Sequence, residues 1–236
     1  MTRHHSQGFV LVTSLIFLIV LSLLGVMAMR GSLFEERMAA NDREHAMARE
    51  FAEMALRDAE RDILGLHFDG TTYCASAGAG VCALRRPAGT RPANAADAGN
   101  FWIAANPAID DIGQDNGGLG GAANIQGIYT AGAAAACGMP VWSGAAWENV
   151  SPACAGTIGA AVPTVQYGTF TDAPFNAPAG TVPPRYIIEL FRADDLAISP
   201  TSNKLFFRIT AVGFGRTTGT GGARTSVTLQ SVFSAL

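Results

Sequence analysis

The sequence predicts an α+β fold: a long N-terminal helix packed against a C-terminal antiparallel sheet, with a long loop-rich, disulfide-bonded insert between them. Three observations carry this. An uncharged stretch from Phe9 to Met29 runs directly into a four-residue apolar periodicity that ends near Ile63. Residues 65–184 are dominated by Gly, Ala, Pro, Ser and Asn and hold all 4 cysteines. From residue 185 onward the chain returns to short apolar and alternating runs. A chain of 236 residues has room for one ordinary core with an attached helical segment.

The helix comes first. Phe9 to Met29 contains no charged residue, and as a helix it extends about 31 Å, matching a hydrocarbon core of roughly 30 Å. It exceeds the ~7–15-residue apolar core of a removable signal and continues into a helical pattern, so a retained anchor is expected. Arg3, with His4 and His5, precedes the span and Arg30 follows it, which leaves the charge rule for orientation weak. Beyond the span, Met47, Phe51, Ala55, Ala59 and Ile63 recur every four residues, widened by Ala48, Ala52 and Leu56. Charges fill the other positions, with Glu53 four residues before Arg57 in the favourable orientation. Residues 9–64 therefore read as one helix of about 84 Å, with residues 9–29 in lipid and 30–64 outside it. Gly25 and the Arg30-Gly31-Ser32 step are its soft points, where a bend is expected.

The insert, residues 65–184, lacks long periodic runs and would struggle to offset its own chain entropy. Cys74, Cys82, Cys137 and Cys154 lack the paired spacing of common zinc sites, so disulfides outside the cytoplasm are expected. Three connectivities are open; Cys74–Cys82 with Cys137–Cys154 closes the shortest loops. That chemistry places the part after Arg30 outside the inner membrane and the first seven residues inside. Phe101, Trp102, Trp142 and Trp147 are expected packing points, and FWIAA and GIYTA minor strands or helical turns.

The C-terminal segment, residues 185–236, predicts three strands. RYIIELF is an apolar run; KLFFRITAVGF puts Leu205, Phe207, Ile209 and Ala211 on one face; TSVTLQSVF does the same with Val227, Leu229 and Phe233. The connections RADDLAISPTSN and GFGRTTGTGGAR are turn-rich and of hairpin type, which favours an antiparallel sheet. The alanine-rich stripe of the helix is its natural cover.

Chemistry is sparse. The net charge is -3 and the 16 basic residues are scattered, so nucleic acid is excluded as a partner. GFGRTTG departs from the dinucleotide spacing and precedes a strand rather than a helix. DDIGQDNGG, from Asp110, lacks the bidentate glutamate of a calcium loop and reads as a solvated turn. His4, His5, His45 and His67 fall in no metal or nucleophile motif. Neither an enzyme activity, a metal nor a cofactor is expected.

The junction QGFVLVTSL, the segment EERMAANDREHAMAREFAEMALRDAE, and the terminal FRITAVGFG and TSVTLQSVF together resemble a type IV pilin precursor, and more closely the PilX-type minor pilins. The resemblance covers the helix and the last strand pair and leaves the middle unmatched. It implies a pilin-like fold and cleavage by a prepilin peptidase between Gly8 and Phe9, with residues 1–8 as leader and the new amine of Phe9 methylated. Glycine at position 8 suits a peptidase that must approach the backbone closely. It further implies assembly contacts through Thr13, Glu35, Glu36 and Arg37. The implied partners are other minor pilins, the major pilin, a PilY-type tip adhesin, the prepilin peptidase and the inner membrane. Most pilins carry a glutamate where this chain has Thr13. A carboxylate in lipid is costly unless paired, so its loss implies a subunit that primes assembly and sits at the pilus tip, serving pilus biogenesis, adhesion and twitching motility. A minor pseudopilin of a type II secretion system, related to this family, and another membrane-anchored periplasmic protein are the alternatives.

Overall fold

The structure, a computed structural model, describes residues 7–74, 91–103, 106, 127–130, 140–145, 147–148, 163–193, 204–218 and 222–234. The chain divides into two compact units, Met1–Arg43 and Glu44–Leu236. Helix α1 spans Gln7–Ile63. It runs through Gly25 and Gly31 without a break in its helical assignment. In the first unit the large apolar side chains from Phe9 to Met29, with Phe34 and Met38, are exposed, and its most apolar window has a mean hydropathy of 2.9. It is the one helix among the described residues long and apolar enough to cross a membrane.

In the second unit the expected stripe is buried. Ala48, Ala52, Ala55 and Ala59 are sealed from solvent and Phe51 and Ile63 nearly so. The helix stops at a glycine in the left-handed region, Gly65, with φ of 72°. Gly65 N–H donates to Asp62 O at 3.2 Å and Leu66 N–H to Arg61 O at 2.9 Å, the paired bonds that close a helix end on a glycine. A side chain at Gly65 would also stand 2.6 Å from the main chain of Asn94. Trp102 occupies one more helix-end carbonyl, its indole N–H donating to Ile63 O at 2.7 Å.

Strands β1, His67–Phe68, and β2, Tyr73–Cys74, form a small antiparallel ladder. Helix α2, Ala95–Phe101, is capped by Asn94, whose side chain accepts from Asp97 N–H at 3.1 Å. The main sheet contains β3, Ile128–Thr130; β4, Val165–Gln166; β5, Arg185–Arg192; β6, Leu205–Thr218; and β7, Arg224–Ser234. Its order is β3-β5-β6-β7, with β4 beside β5. The three expected strands are present, and β5–β6 and β6–β7 are antiparallel.

The sheet differs from expectation in two ways. It is mixed, because β3 runs parallel to β5 in the register Ile128↔Ile188; the long connection between them supplies the crossover a parallel pair needs. The stretch GFGRTT, expected as a turn, is the end of β6, with an irregular register between Phe214 and Thr218. Glycine there weakens the strand signal but suits a bulge.

One core lies between α1 and the sheet: Ala55, Ala59 and Ile63 meet Phe101, Trp102, Tyr186, Ile188, Leu190, Leu205, Phe207, Ile209 and Ala211. Trp102 and Phe207 pack edge to face at 4.9 Å. Alternation along β5 turns Ile187 to the opposite face, where Tyr129, Val141 and Ala145 cover it with Trp147. Trp142, expected to pack, keeps 36% of its surface exposed. Cys74 is disulfide-bonded. Cys82, Cys137 and Cys154 lie outside the described residues, as does the loop from Asp110, so the expected pairing stays an expectation.

Candidate processing and assembly site

Gly8, Phe9 and Thr13 fall within the first two turns of α1. Glycine lowers helix preference by ~1 kcal/mol relative to alanine, so Gly8 is a soft point of α1, as Gly25 and Gly31 are. Phe9 is 74% exposed.

Thr13 bonds to its own helix. Its hydroxyl is shared between Phe9 O and Val10 O, each at 3.0 Å. Ser14 and Ser22 donate in the same way to Leu11 O at 2.9 Å and Ile19 O at 2.8 Å. Such back-bonding satisfies a hydroxyl where no water is present. This segment therefore presents a polar side chain at position 13 with neither charge nor unmet donor. Glu35, Glu36 and Arg37 are exposed on the same helix, about 33 Å further along its axis from Thr13 by helical rise. They form no single cluster with Gly8, Phe9 and Thr13, and Cys74 belongs to the second unit.

The second unit contains a polar network that sequence reasoning missed. The expectation that charges fill the wet positions of the helix fails at Asp58 and Asp62, both fully buried. Asp62 receives Arg91 Nε on both carboxylate oxygens at 2.9 Å and the Tyr186 hydroxyl at 2.9 Å. Arg91 also lies over the Phe170 ring at 3.5 Å. Burial, then the charge of Asp62, hold the Tyr186 phenol well above its ordinary range, so it remains a donor. Asp58 accepts from Gly168 N–H at 2.8 Å and from the Thr171 hydroxyl. Thr171 O in turn accepts from Phe68 N–H at 2.7 Å, which ties β1 to the same loop. A signal for these residues was present: Asp58 follows Phe51, and Asp62 follows Ala55, by seven residues, the spacing that returns a side chain to the same helix face.

Glu44 makes a second link. Its carboxylate accepts from Arg216 N–H at 2.5 Å and Thr217 N–H at 3.1 Å at the irregular part of β6. These groups hold helix, loop and sheet together. The described residues contain no cluster suited to a metal ion.

Two family models match the chain. The PilX N-terminal model covers residues 7–57, and the model described as type IV pilus assembly protein PilX C-term covers residues 83–235. No curated protein and no solved structure matches.

Proposed function

Because the chain belongs to the PilX family of type IV pilus assembly proteins, we propose that it is a minor pilin that primes assembly and sits at the pilus tip. Its membership ties it to other pilus components and to the assembly of the pilus. In this reading a prepilin peptidase removes residues 1–8, and the freed amine of Phe9 is methylated. The helix then holds the subunit in the inner membrane, with the second unit in the periplasm, until it enters the filament. Other minor pilins, the major pilin and a PilY-type adhesin are its partners, through Thr13 and the exposed Glu35, Glu36 and Arg37.

Thr13 carries the tip placement. In a shaft, a carboxylate near the helix start is neutralised by the amine of a neighbouring subunit; without that amine it is costly in lipid. Thr13 makes no such demand, because its hydroxyl is satisfied by Phe9 O and Val10 O. A subunit with nothing above it is the one that needs no charge here. Adhesion and twitching then follow from the presence of pili that this complex starts.

The test is where the protein lies on isolated pili. A labelled chain should mark filament ends at few copies, and cells without it should lose surface pili. Thr13→Glu should impair, or fail to improve, priming. Label along the whole length, increased by Thr13→Glu, would make it a poorly pairing shaft subunit and contradict the tip placement.

A further inference from the structure

Two buried carboxylates stand four residues apart on one face of α1, and they are served differently. Asp62 holds the Arg91 guanidinium on both oxygens at 2.9 Å. Asp58, equally sealed from solvent, accepts instead from Gly168 N–H at 2.8 Å and from the Thr171 hydroxyl. Among the described residues it forms no ion pair. Arg61, three residues on, is turned onto Tyr73, its guanidinium 4.0 Å from the ring centre and donating to the hydroxyl at 2.8 Å.

Both partners of Asp58 belong to the loop of residues 167–173. This loop is a surface layer, with Thr169 exposed and Thr171 and Ala173 buried. Thr171 O passes the hold on to β1 by accepting Phe68 N–H at 2.7 Å. Phe170 is a second anchor, its ring against Arg91 at 3.5 Å. Asp58 bonds to no residue of β5, β6 or β7.

We propose that Asp58 is a proton-operated latch: its neutral carboxyl holds the 167–173 loop and β1 closed on α1, and its ionisation loosens that layer while the core between α1 and the sheet stays closed. Both protonation states keep the two hydrogen bonds, because the Thr171 hydroxyl can donate to a carboxylate or accept from a carboxyl. Ionisation adds a buried charge with no cation beside it, a cost that water relieves. Water enters most cheaply through the loop, since surface loops open at lower free energy than core strands. Phe170 on Arg91 does not involve Asp58, so the layer loosens without leaving.

Burial is the largest influence on Asp58 and pushes it from 3.8 up to about 6. The charged and titratable groups around it are Asp62 and Arg61 on α1, Tyr73 on β2, Tyr167 and Asp172 in the loop, Tyr186 on β5, Arg91, and His67 on β1. Burial raises all three phenols, which therefore stay neutral. Histidine ordinarily titrates close to this window, which makes His67 the control. An open loop returns Asp58 to its ordinary value, so opening becomes easier as pH rises from 3.8 to about 6 and is level above.

Amide hydrogen exchange on the full-length chain in detergent, at graded pH and low urea, tests the latch. Protection of the Gly168 and Phe68 amides should fall about tenfold per pH unit up to about 6 and then level off. It should show little urea dependence, as local opening does. The Ile188 amide, bonded to Gly127 O at 2.8 Å, should carry the full urea dependence of unfolding. Asp58→Asn should level the pH profile at Gly168 and Phe68, and His67→Gln should leave its slope in place. A flat wild-type profile, a urea dependence at Gly168 and Phe68 equal to that of Ile188, or a slope kept by Asp58→Asn or removed by His67→Gln overturns the proposal. Should Asp58→Asn fail to fold, the wild-type profile and its urea dependence decide alone.

Discussion

Asp58 is sealed from solvent, yet it takes its hydrogen bonds from a hydroxyl and a main-chain N–H rather than from a cation. Burial is the largest influence on it and pushes its carboxyl from an ordinary 3.8 up to about 6. A raised value in the fold means that folding takes up a proton. The stabilisation is complete below the ordinary value and is lost as pH rises through about 6. The displacement corresponds to on the order of 3 kcal/mol. Glu44 acts in the opposite sense: the Thr217 N–H bond lowers it from 4.5, so its contribution is present above that value and is lost on further acidification. Between pH 7.5 and 5 the thermal midpoint should therefore rise, and Asp58→Asn should flatten that rise. A slope unchanged in Asp58→Asn would show that another group is responsible. Asp62 makes a different prediction. Arg91→Ala strands a buried carboxylate and should cost about 3–5 kcal/mol in denaturant melts, whereas Asp62→Asn combined with Arg91→Met should recover much of it. Equal losses in both variants would mean that packing of Arg91 on Phe170, rather than charge, is what matters.

At the level of elements, the helix meets the sheet through an absence of side chain. A Cβ on Gly213 would stand 2.0 Å from Ala48 O and 2.4 Å from Ala52 N. Gly213→Val should force α1 and β6 apart and cost about 1–3 kcal/mol or more. Arg49→Ala, which removes an exposed pair with Glu53, should change stability by less than about 0.5 kcal/mol. Equal melting curves for the two variants would contradict the close approach. The helix and strands β6 and β7 were legible because their pattern follows a simple period, four residues for Ala55, Ala59 and Ile63 and two for Leu205, Phe207 and Ile209, whereas β5, buried on both faces, showed only as the apolar run RYIIELF. β3 and β4 have three and two residues, too few to express a period, and their partners come from far along the chain. Asp58 and Asp62 were misread because a charge was equated with a wet position, although their heptad spacing placed them in the stripe. Gly213 was legible only as a weak strand residue; that a helix backbone fills the space of its side chain is a fact of tertiary packing.

For the whole molecule, the residues proposed for processing, Gly8 and Phe9, and for assembly, Thr13, were read from the sequence alone, because a full apolar span opening after a short polar stretch is a pattern of composition and length. In the proposed function the exposed apolar helix enters lipid or a filament core, and the packed helix-and-sheet unit meets other subunits. That proposal depends on one covalent event, cleavage between Gly8 and Phe9. Gly8→Val should leave the span apolar while the branched side chain obstructs the peptidase, so the chain stays membrane-bound and uncut and pilus number falls. The most direct measurement is the N-terminal mass of the full-length protein extracted from membranes, with and without prepilin peptidase. With the peptidase it should begin at Phe9 and carry one methyl group on its amine; without it, or in Gly8→Val, residues 1–8 should remain. Retention of residues 1–8 in the wild-type chain with an active peptidase present, or cleavage at another bond, would contradict the account.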